Sequence, residues 1–278
     1  MSDVTVVFVT YNSAGVLGDA LASIPDGVPT VVVDNASADG SVAIARDHGA
    51  EIVEAGDNLG FGTACNRGAA KADTPFVLFL NPDARLLPDT LLALLAEASQ
   101  HPHAAAFGPC ILDADGTTEL PRARTLLDDG PAMMTAVPGA SCDVEFLSGA
   151  CLLVRREVFL SLGGFDEAIF LYLEDDDLCL RLRGAGHTLR LVPDARVVHH
   201  QGTSSPPSRS GLELRNHHTM ASHVYLARKH GIATDFDGMR RKARMRLLTS
   251  WLKLDLTRAA VNRGRLSGLS ADGPGRWS

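Results

Sequence analysis

The sequence predicts an α/β protein with a mostly parallel central sheet, flanked by helices and followed by a C-terminal helical extension. Through the first 112 residues, short apolar runs alternate with helical patterns in which apolar residues recur three and four positions apart. The runs are almost continuously apolar, which is typical of parallel strands buried on both faces. Polar residues follow directly where these runs end. Together these observations predict a ligand crevice at one edge of the sheet.

Strand-and-helix repeats account for the first part of the chain. The apolar run 4–10 predicts the first strand, and Leu17, Leu21 and Ile24 predict the helix after it. Asn35 to Ser37 can cap the second helix, and Gly49 can end it. The predicted strands cover residues 4–10, 30–34, 52–53 and 75–80, and the predicted helices include residues 17–24, 41–48, 65–69 and 88–100.

The middle of the chain is less regular. Residues 113–143 are rich in Asp, Gly, Pro and Arg, and they predict a mobile flap. The other predicted elements are a strand over 146–154, a helix over 156–162, a helix that begins at 174, a strand over 189–192, a strand-like run from 197 and a helix over 217–230.

The composition predicts a soluble cytoplasmic protein. Hydrophobic residues make up 45% of the 278 positions and charged residues 21%, so global disorder is not expected. No basic leader precedes the first apolar run, and no apolar stretch reaches the roughly 18 residues expected of a membrane span. The five cysteines are odd in number and include no C-x-x-C pair, which favours reduced thiols.

Charge is distributed unequally along the chain. Residues 240–278 contain ten Lys and Arg against two acidic residues, although the whole chain has a net charge of −7. The acidic body argues against nucleic acid as a partner. We expect one α/β domain over residues 1–235 and a basic helical tail over 236–278, with a disordered end from Ser267.

Two interpretations of the tail remain open. Met245, Leu248, Leu252 and Leu256 share one side of a helix over residues 240–265, with basic residues mostly around them. In the first interpretation, this side of the helix packs on the domain or on a second subunit, as in a homodimer. In the second, it attaches the protein peripherally to the inner face of the cell membrane through anionic lipid.

The most abrupt charge in the sequence lies within residues 170–186. Four consecutive carboxylates, Glu174 to Asp177, stand at the beginning of a helix whose apolar face includes Leu178, Leu182 and Ala185. One or two carboxylates suffice to interact with a helix N-terminus, and four adjacent ones repel each other. We therefore expect at least one to serve chemistry or a cation, with helix capping as the alternative.

Polar residues after the predicted strands are candidates for ligand binding. Asp34 can accept a hydrogen bond from a base or a ribose hydroxyl, and Asp83, after Asn81-Pro82, offers a hard oxygen ligand. Asp83 and His199 could hold a divalent cation whose coordination substrate phosphates complete. The alternative for the loop residues is turn formation, and for His199 it is a hydrogen-bonded crevice histidine.

A series of short motifs occurs in a fixed order between residues 4 and 230. They are Val9-Thr-Tyr-Asn12, Val33-Asp-Asn-Ala-Ser37, Asn58-Leu-Gly-Phe-Gly62, Asn66-Arg-Gly68, Phe79-Leu-Asn-Pro-Asp83, Ser148-Gly-Ala150, Gly163-Gly-Phe-Asp-Glu167, Tyr172-Leu-Glu-Asp-Asp-Asp-Leu178 and His199-x-x-Gly202-x-Ser204. Together they resemble the family-2 glycosyltransferases, most closely the rhamnosyltransferase-like branch. No single motif is decisive, but the ordered set is very specific.

The resemblance implies a GT-A fold with a Rossmann-like sheet and transfer of a sugar with inversion at the anomeric carbon. The implied donor is a nucleoside-diphosphate sugar of the UDP or dTDP type, with rhamnose as a candidate sugar. The implied acceptor is a hydroxyl of a glycan, a lipid-linked glycan or a small molecule. The implied cofactor is a divalent metal, Mg²⁺ or Mn²⁺.

The resemblance also implies roles for individual residues. Asp175 would be the general base, with Glu174 beside it, and Asp83 and His199 would lie at the metal. The nucleotide-sugar-binding residues would be Thr10, Tyr11, Asn12, Asp34, Asn58, Asn66 and Gly149. One position departs from the pattern of many relatives, because Asn81 stands where they have the first Asp of Asp-x-Asp; the rhamnosyltransferase-like branch often shows the same change.

Two other functions fit parts of the pattern. A sugar nucleotidyltransferase would use a similar sheet, but a glycine-rich loop with a basic residue would follow its first strand, and the loop at residues 10–15 has neither. A non-catalytic nucleotide-sugar-binding module is the second alternative. Donor hydrolysis would separate a module from an enzyme, because a module would bind the donor without turnover.

Overall fold

The computed structural model describes residues 3–117, 133–200 and 208–271. Its strands are β1 (Val4–Thr10), β2 (Thr30–Asp34), β3 (Glu51–Glu54), β4 (Phe76–Leu80), β5 (Ala84–Leu86), β6 (Ala104–Leu112), β7 (Cys142–Val144), β8 (Cys151–Arg155) and β9 (Thr188–His199). Its helices are α1 (Ala14–Ala22), α2 (Ser41–Asp47), α3 (Phe61–Lys71), α4 (Thr90–Gln100), α5 (Arg156–Ser161), α6 (Glu174–Gly184), α7 (Arg209–Lys229), α8 (Phe236–Leu252) and α9 (Leu256–Leu269). About half of the predicted flap, residues 118–132, lies outside the described residues, as do residues 202–204 of the last motif.

Six of the described strands run in one direction. β1 is parallel to β2 and β4, and β2 is parallel to β3. β8 is antiparallel to both β4 and β6, so β6 and its parallel neighbour β9 run in the direction of β4. β5 and β7 are antiparallel to β9. The prediction of a mostly parallel sheet is confirmed, and the strand order is β3-β2-β1-β4-β8-β6-β9-β5, with β7 beside β9.

Helices bury both faces of this sheet. Along β1, Val6 and Phe8 pack in the core that contains residues of α1, α2 and α4. Val7 and Val9 point the other way, into the core that contains residues of α3, α5 and α6. Because helices cover both faces of the sheet, the side chains on both faces of such a strand are buried. This explains why these strands are continuous apolar runs in the sequence.

A bulge interrupts β9. Val192 pairs with Pro109 of β6, but Cys110, the next residue of β6, pairs with Arg196. Leu189 packs in the core beside α3, whereas Val197 packs in the core beside α1, although an even number of positions separates them. In an unbroken strand they would share a face. The two predicted segments at 189–192 and from 197 are therefore parts of one strand.

The chain divides into two compact units. The first holds the described residues of 1–166 and 175–205, including the whole sheet, and the second holds those of 167–174 and 206–278. In the second unit, α7 packs against α9, and α8 packs against α9. The predicted boundary at residue 235 lies inside the second unit, between α7 and α8.

Glycines allow α7 and α9 to approach closely. A Cβ atom on Gly264 would lie 2.1 Å from the carbonyl oxygen of Glu213, and one on Gly268 would lie 2.2 Å from that of His217. Arg263 of α9 also donates a hydrogen bond of 2.6 Å to the Glu213 carboxylate. The contact therefore depends on two glycines one helical turn apart, facing backbone of the neighbouring helix.

The basic tail contains two helices rather than one. α8 ends at Leu252, and Leu254 adopts a left-handed backbone conformation with φ of 54°. Asp255 then caps α9, because its carboxylate accepts a hydrogen bond of 2.9 Å from the Arg258 N–H. α9 continues to Leu269, past the predicted start of disorder at Ser267. Within the described ranges, none of the helices is both long and apolar enough to cross a bilayer.

We expect Gly268→Ala to lower the free energy of unfolding by about 1–3 kcal/mol, because the added methyl group must displace α9 from the His217 carbonyl. Denaturant unfolding followed by circular dichroism measures this change. Gly184→Ala is the matched control, since a Cβ atom at this exposed end of α6 meets nothing within 4 Å. Equal destabilisation by the two variants would contradict the close approach of α7 and α9.

Candidate active site

Strand polarity brings the predicted site residues of the first unit to one edge of the sheet. β1, β2 and β9 end at Thr10, Asp34 and His199, and Asn81 follows the end of β4. These strands all run in the same direction, so their carboxyl ends lie at the same edge. β8 runs the other way and begins with Cys151 opposite Leu80, so the loop before it, with Gly149, reaches this edge too.

The loops after β1 and β2 hold each other in place. The Asn12 N–H donates a hydrogen bond of 2.9 Å to Ser37 Oγ, and Asn12 Oδ1 accepts one of 2.8 Å from the Ala38 N–H. Asn12 has φ of 54°, a left-handed conformation that asparagine tolerates. The Ser37 N–H donates to the buried carboxylate of Asp34 at 3.1 Å. The predicted base-binding aspartate therefore lies in a loop whose geometry Asn12 helps to hold.

The first loop presents its residues unequally. Thr10 is fully buried, and its hydroxyl has no hydrogen-bond partner among the described residues. The Tyr11 side chain, in contrast, is 47% exposed. Tyr11 is therefore accessible to a ligand without any movement of the loop.

Asp39 organises the same loops, although the sequence did not single it out. Its Oδ2 accepts a hydrogen bond of 3.0 Å from the Ala14 N–H at the beginning of α1, and its Oδ1 accepts one of 2.6 Å from Ser41 Oγ at the beginning of α2. Burial opposes its ionisation, but the hydrogen bonds from Ser41 and Ala14 outweigh this cost and hold the pKa of Asp39 below its ordinary value. The local signal was Asp-Gly-Ser directly before a helical pattern.

The two predicted asparagines of the third loop and α3 make hydrogen bonds within the fold. Asn58 Oδ1 accepts from the Gly60 N–H at 3.1 Å, which shapes the turn before α3. The amide of Asn66 donates to the Phe165 carbonyl at 2.9 Å and accepts from the Phe165 N–H at 2.8 Å. A Cβ atom on Gly164 would lie 2.3 Å from Asn66 Oδ1. Asn66 thus holds the Gly164-Phe165 turn, and its contact with a nucleotide stays a prediction.

Asp83 and His199 are neighbours at the site edge. β5 pairs with β9 so that Ala84 lies opposite His199, and the His200 N–H donates to the Asp83 carbonyl at 2.9 Å. This pairing brings Asp83 Oδ1 to 3.2 Å from His199 Nε2. Asn81 Nδ2 lies 3.4 Å from the same ring nitrogen. Both polar side chains of the Asn81-Pro82-Asp83 motif therefore lie close to the same nitrogen of the ring.

This donor set fits a cation that binds mainly through its substrate. Asp83 supplies a carboxylate oxygen and His199 supplies an imidazole nitrogen. Across residues 3–117, 133–200 and 208–271, no group of three His, Cys, Asp or Glu side chains is arranged to hold a metal ion. Mg²⁺ and Mn²⁺ at phosphate-transfer sites are commonly held by one or two protein groups, with substrate oxygens and water as the other ligands. The residues present therefore suit a metal–diphosphate complex rather than a closed structural site.

The four consecutive carboxylates have different environments. α6 begins at Glu174, as predicted. Glu174, Asp176 and Asp177 are buried, whereas Asp175 keeps part of its surface exposed. Of the four, only Asp175 combines exposure with a place at the beginning of the helix, so it is the member that a second substrate could reach.

Arg181 explains why Asp177 can be buried. Its Nε donates to Asp177 Oδ2 at 2.6 Å, and its other nitrogens donate to the carbonyls of Leu162 and Gly164 at 3.1 and 2.6 Å. A buried carboxylate needs such a partner, because an unpaired buried charge costs several kcal/mol. Asp177 and Arg181 therefore fix α6 to the turn after α5, a role of Arg181 that was not predicted from the sequence.

Backbone N–H groups orient the Asp175 carboxylate. Oδ2 accepts a hydrogen bond of 2.9 Å from the Gly149 N–H, and Oδ1 accepts one of 3.0 Å from the Asp176 N–H. The Ala150 carbonyl next to Gly149 accepts a hydrogen bond of 2.9 Å from the Asn81 N–H. One short loop thus links Asp175 to the strand end that leads to Asp83, and lone pairs remain on the carboxylate to accept a proton.

The backbone directly before α6 is strained. Tyr172 and Leu173 have φ of 67° and 68°, a left-handed conformation that costs a non-glycine residue of order 1–3 kcal/mol. Two such residues in succession turn the chain sharply into the helix. Strain of this kind is concentrated at functional sites, and here it lies two and three positions before Asp175.

Comparison with known proteins identifies the family of the chain. Residues 5–163 match the family model described as glycosyl transferase family 2. The chain is 36% identical over 267 residues to an N-acetylglucosaminyl-diphospho-decaprenol L-rhamnosyltransferase of Mycobacterium tuberculosis, covering 83% of this chain and 86% of that protein. It is 32% identical over 173 residues to the rhamnosyltransferase WbbL of Escherichia coli, covering 57% of this chain and 64% of that one.

Solved structures support the fold. A mannosyltransferase from Pyrobaculum calidifontis, in complex with GDP-Man and Mn²⁺, superposes with a TM-score of 0.60 at 21% identity, covering 93% of this chain and 73% of that one. GalNAc-T7 with UDP, GalNAc and Mn²⁺ superposes with a TM-score of 0.60 at 18% identity, covering 74% and 46%. The predicted GT-A-like fold and the family resemblance are confirmed. The chain belongs to glycosyl transferase family 2 and is a sugar-transferring enzyme of the rhamnosyltransferase-like kind.

Proposed function

We propose that the chain is an inverting glycosyltransferase that moves a sugar, with rhamnose as the first candidate, from a nucleoside-diphosphate donor to a hydroxyl of a lipid-linked glycan. The Mycobacterium tuberculosis relative supports this choice of sugar and acceptor, since that protein is named as an N-acetylglucosaminyl-diphospho-decaprenol L-rhamnosyltransferase. The choice of a dTDP donor rests on the resemblance to the same branch.

The observation that carries the proposal is that one edge of the sheet holds two different sets of residues. Asp83 Oδ1 and His199 Nε2, 3.2 Å apart, form a donor pair suited to a metal–diphosphate complex. Asp175 is a partly exposed carboxylate that Gly149 holds from a neighbouring loop. A transferase that inverts the anomeric carbon needs such a division, with one group for the leaving diphosphate and another for the attacking hydroxyl.

In the proposed reaction, the acceptor oxygen attacks the anomeric carbon as its proton passes to Asp175. The bond between the anomeric carbon and the diphosphate oxygen breaks, and the nucleoside diphosphate leaves with the electron pair. One carboxylate suffices, because the leaving diphosphate is already a stable anion and needs no protonating acid. Asp34 and the exposed ring of Tyr11 contact the nucleoside. Glu174 is the neighbour in sequence of the general base Asp175.

Asp83 and His199 would hold the divalent cation, Mg²⁺ or Mn²⁺. When bound, such an ion supplies positive charge against the charge that develops on the diphosphate. The mostly buried imidazole of His199 can also donate a hydrogen bond to a phosphate oxygen when it is not bound to the ion.

We expect Asp175→Asn to lower turnover by about 10²–10⁴-fold, because the amide cannot take the acceptor proton. Donor affinity should change little, since the substitution keeps the size of the side chain and leaves an oxygen to accept the Gly149 N–H. Turnover is measured by mass spectrometry with dTDP-rhamnose and an N-acetylglucosaminyl-diphospho-lipid, and donor affinity by calorimetry.

Asp73→Asn is the matched control for that variant, because this exposed carboxylate follows α3 at the opposite end of the sheet strands. It should retain the activity of the unmodified protein. Near-normal turnover by Asp175→Asn would refute the assignment of the general base.

Removal of divalent cations with a chelator should abolish turnover. Asp83→Asn should raise the Mn²⁺ concentration that is needed for half-maximal dTDP binding by about tenfold or more. Calorimetric titration of dTDP at several Mn²⁺ concentrations measures the shift. The assignment of Asp83 fails if the variant and the unmodified protein require the same Mn²⁺ concentration.

Asn81→Asp should have the opposite effect. It adds a second carboxylate within reach of His199, where the amide nitrogen now lies 3.4 Å from Nε2. Added negative charge favours a divalent cation, so dTDP binding should require less Mn²⁺ in the same titration. An unchanged requirement would show that this side chain does not face the cation.

A further inference from the structure

The surface of α8 in the second unit carries an apolar stripe with basic residues along its sides. At about 100° per residue, Met245, Leu248 and Leu252 fall within roughly 60° of one another around the helix. Their exposed fractions are 61%, 59% and 86%. Ala243 and Ser250 lie on the other side of the helix and are buried. The stripe is therefore a second face of α8, separate from the face that packs in the second unit.

The stripe continues around the turn between α8 and α9. Trp251 is 49% exposed, Leu254 is 82% exposed and Leu256 is 41% exposed. We call the six residues Met245, Leu248, Trp251, Leu252, Leu254 and Leu256 the apolar tip. Soluble monomers rarely expose so many large apolar side chains together unless the surface binds a partner.

The turn itself is held rigidly. The Leu254 N–H donates to the Trp251 carbonyl at 3.1 Å, and the Asp255 N–H donates to the Ser250 carbonyl at 2.9 Å. Asp255 then caps α9 through the Arg258 N–H. Leu254 is kept in its left-handed conformation, with φ of 54°, although its side chain is mostly in solvent. The tip is thus preorganised, and little ordering is needed for it to dock.

Basic side chains lie on both sides of the stripe. By helical spacing, Arg244 is on one side and Lys242 and Arg246 are on the other, whereas Arg241 is in line with the stripe, one turn before Met245. Arg241 and Arg244 also line an open cleft of about 570 Å³, together with Arg240, Asp237 and Ser270. In the part of the chain that the structure describes, the side chains of Lys242, Arg244 and Lys253 form no ion pair.

We infer that the apolar tip and the basic residues around it are a docking surface for a bilayer that contains anionic phospholipid. Apolar side chains flanked by Lys and Arg on one helix face are the pattern of a helix that lies in the plane of a membrane interface. Tryptophan favours the same depth, because its ring is apolar and its N–H is polar. In the cleft, Asp237 pairs with Arg240 at 3.0 Å and Asp235 lies 4.0 Å from Arg241, so Arg244 is the cleft residue best placed to pair with a lipid phosphate. A second copy of the chain would face the same positive charge, which disfavours a dimer through this surface.

The test is binding of the full-length protein to vesicles. Trp277→Phe leaves Trp251 as the sole tryptophan, since the sequence contains two. Phosphatidylcholine vesicles with about 30% phosphatidylglycerol should bind the protein and shift Trp251 emission to shorter wavelengths. Vesicles of phosphatidylcholine alone should bind it at least tenfold more weakly, and added salt should weaken binding to the anionic vesicles.

Two variants test the two parts of the surface. Leu248→Asn with Leu252→Asn, and Arg241→Gln with Arg244→Gln, should each weaken binding to anionic vesicles about tenfold or more. Leu92→Asn is the matched apolar control, because Leu92 on α4 is 67% exposed but lies in the first unit. Arg46→Gln with Arg85→Gln is the matched charge control. Circular dichroism establishes that every variant is folded.

Two results would overturn the inference. One is that the protein does not bind vesicles at all, or that it binds neutral and anionic vesicles equally and neither the leucine nor the arginine variant changes this binding. The other is a dimer in sedimentation velocity that Leu248→Asn with Leu252→Asn converts to a monomer, without any vesicle binding, which would make a second copy the occupant. Neither readout uses sugar transfer, so this test stands or fails independently of the proposed reaction.

Discussion

Strand polarity is the constraint on which the rest of this structure depends. β8 lies antiparallel between β4 and β6, so β4 and β9 run in the same direction and end at the same edge although two strands separate them. Asp34, Asp83 and His199 all lie at that edge as a result, and Asp83 and His199 are in contact there. No local interaction could gather residues so far apart in the sequence. The sheet does so through the backbone hydrogen bonds between its strands and the packing of its buried faces, so the strands themselves do not depend on the polar side chains at the edge.

The cost of burying charge separates acidic residues whose charge the fold pairs or satisfies from one that the fold leaves partly exposed. Asp177 is buried with Arg181, and Asp39 receives hydrogen bonds at the beginnings of two helices. Both carboxylates are therefore occupied by the fold. Asp175 differs, because two backbone N–H groups orient it without neutralising it, and part of it reaches solvent. The four consecutive carboxylates, Glu174 to Asp177, thus have unlike environments. The difference arises from their hydrogen-bonding partners and their burial, not from their residue types.

Local patterns predicted most of the fold, whereas long-range partners were beyond their reach. Continuous apolar runs revealed β1, β2 and β4, and polar residues after them indicated the site edge. The hydrogen bonds from Arg181 to the turn after α5, and from Asn66 to Phe165, had no signal, because nothing local specifies a partner so far along the chain. The break between α8 and α9 was missed for another reason: neither glycine nor proline stands there, and leucine takes the left-handed position instead.

The bulge in β9 limits where the chain can change in length. The three residues between Val192 and Arg196 have no partner on β6, so a residue gained or lost there leaves the pairing of His199 with Ala84 intact. A residue inserted between Arg196 and His199 would instead reverse the faces of the strand end and turn the imidazole away from Asp83. Changes in length before Arg196 are thus compatible with the contact between His199 and Asp83, and changes after it are not.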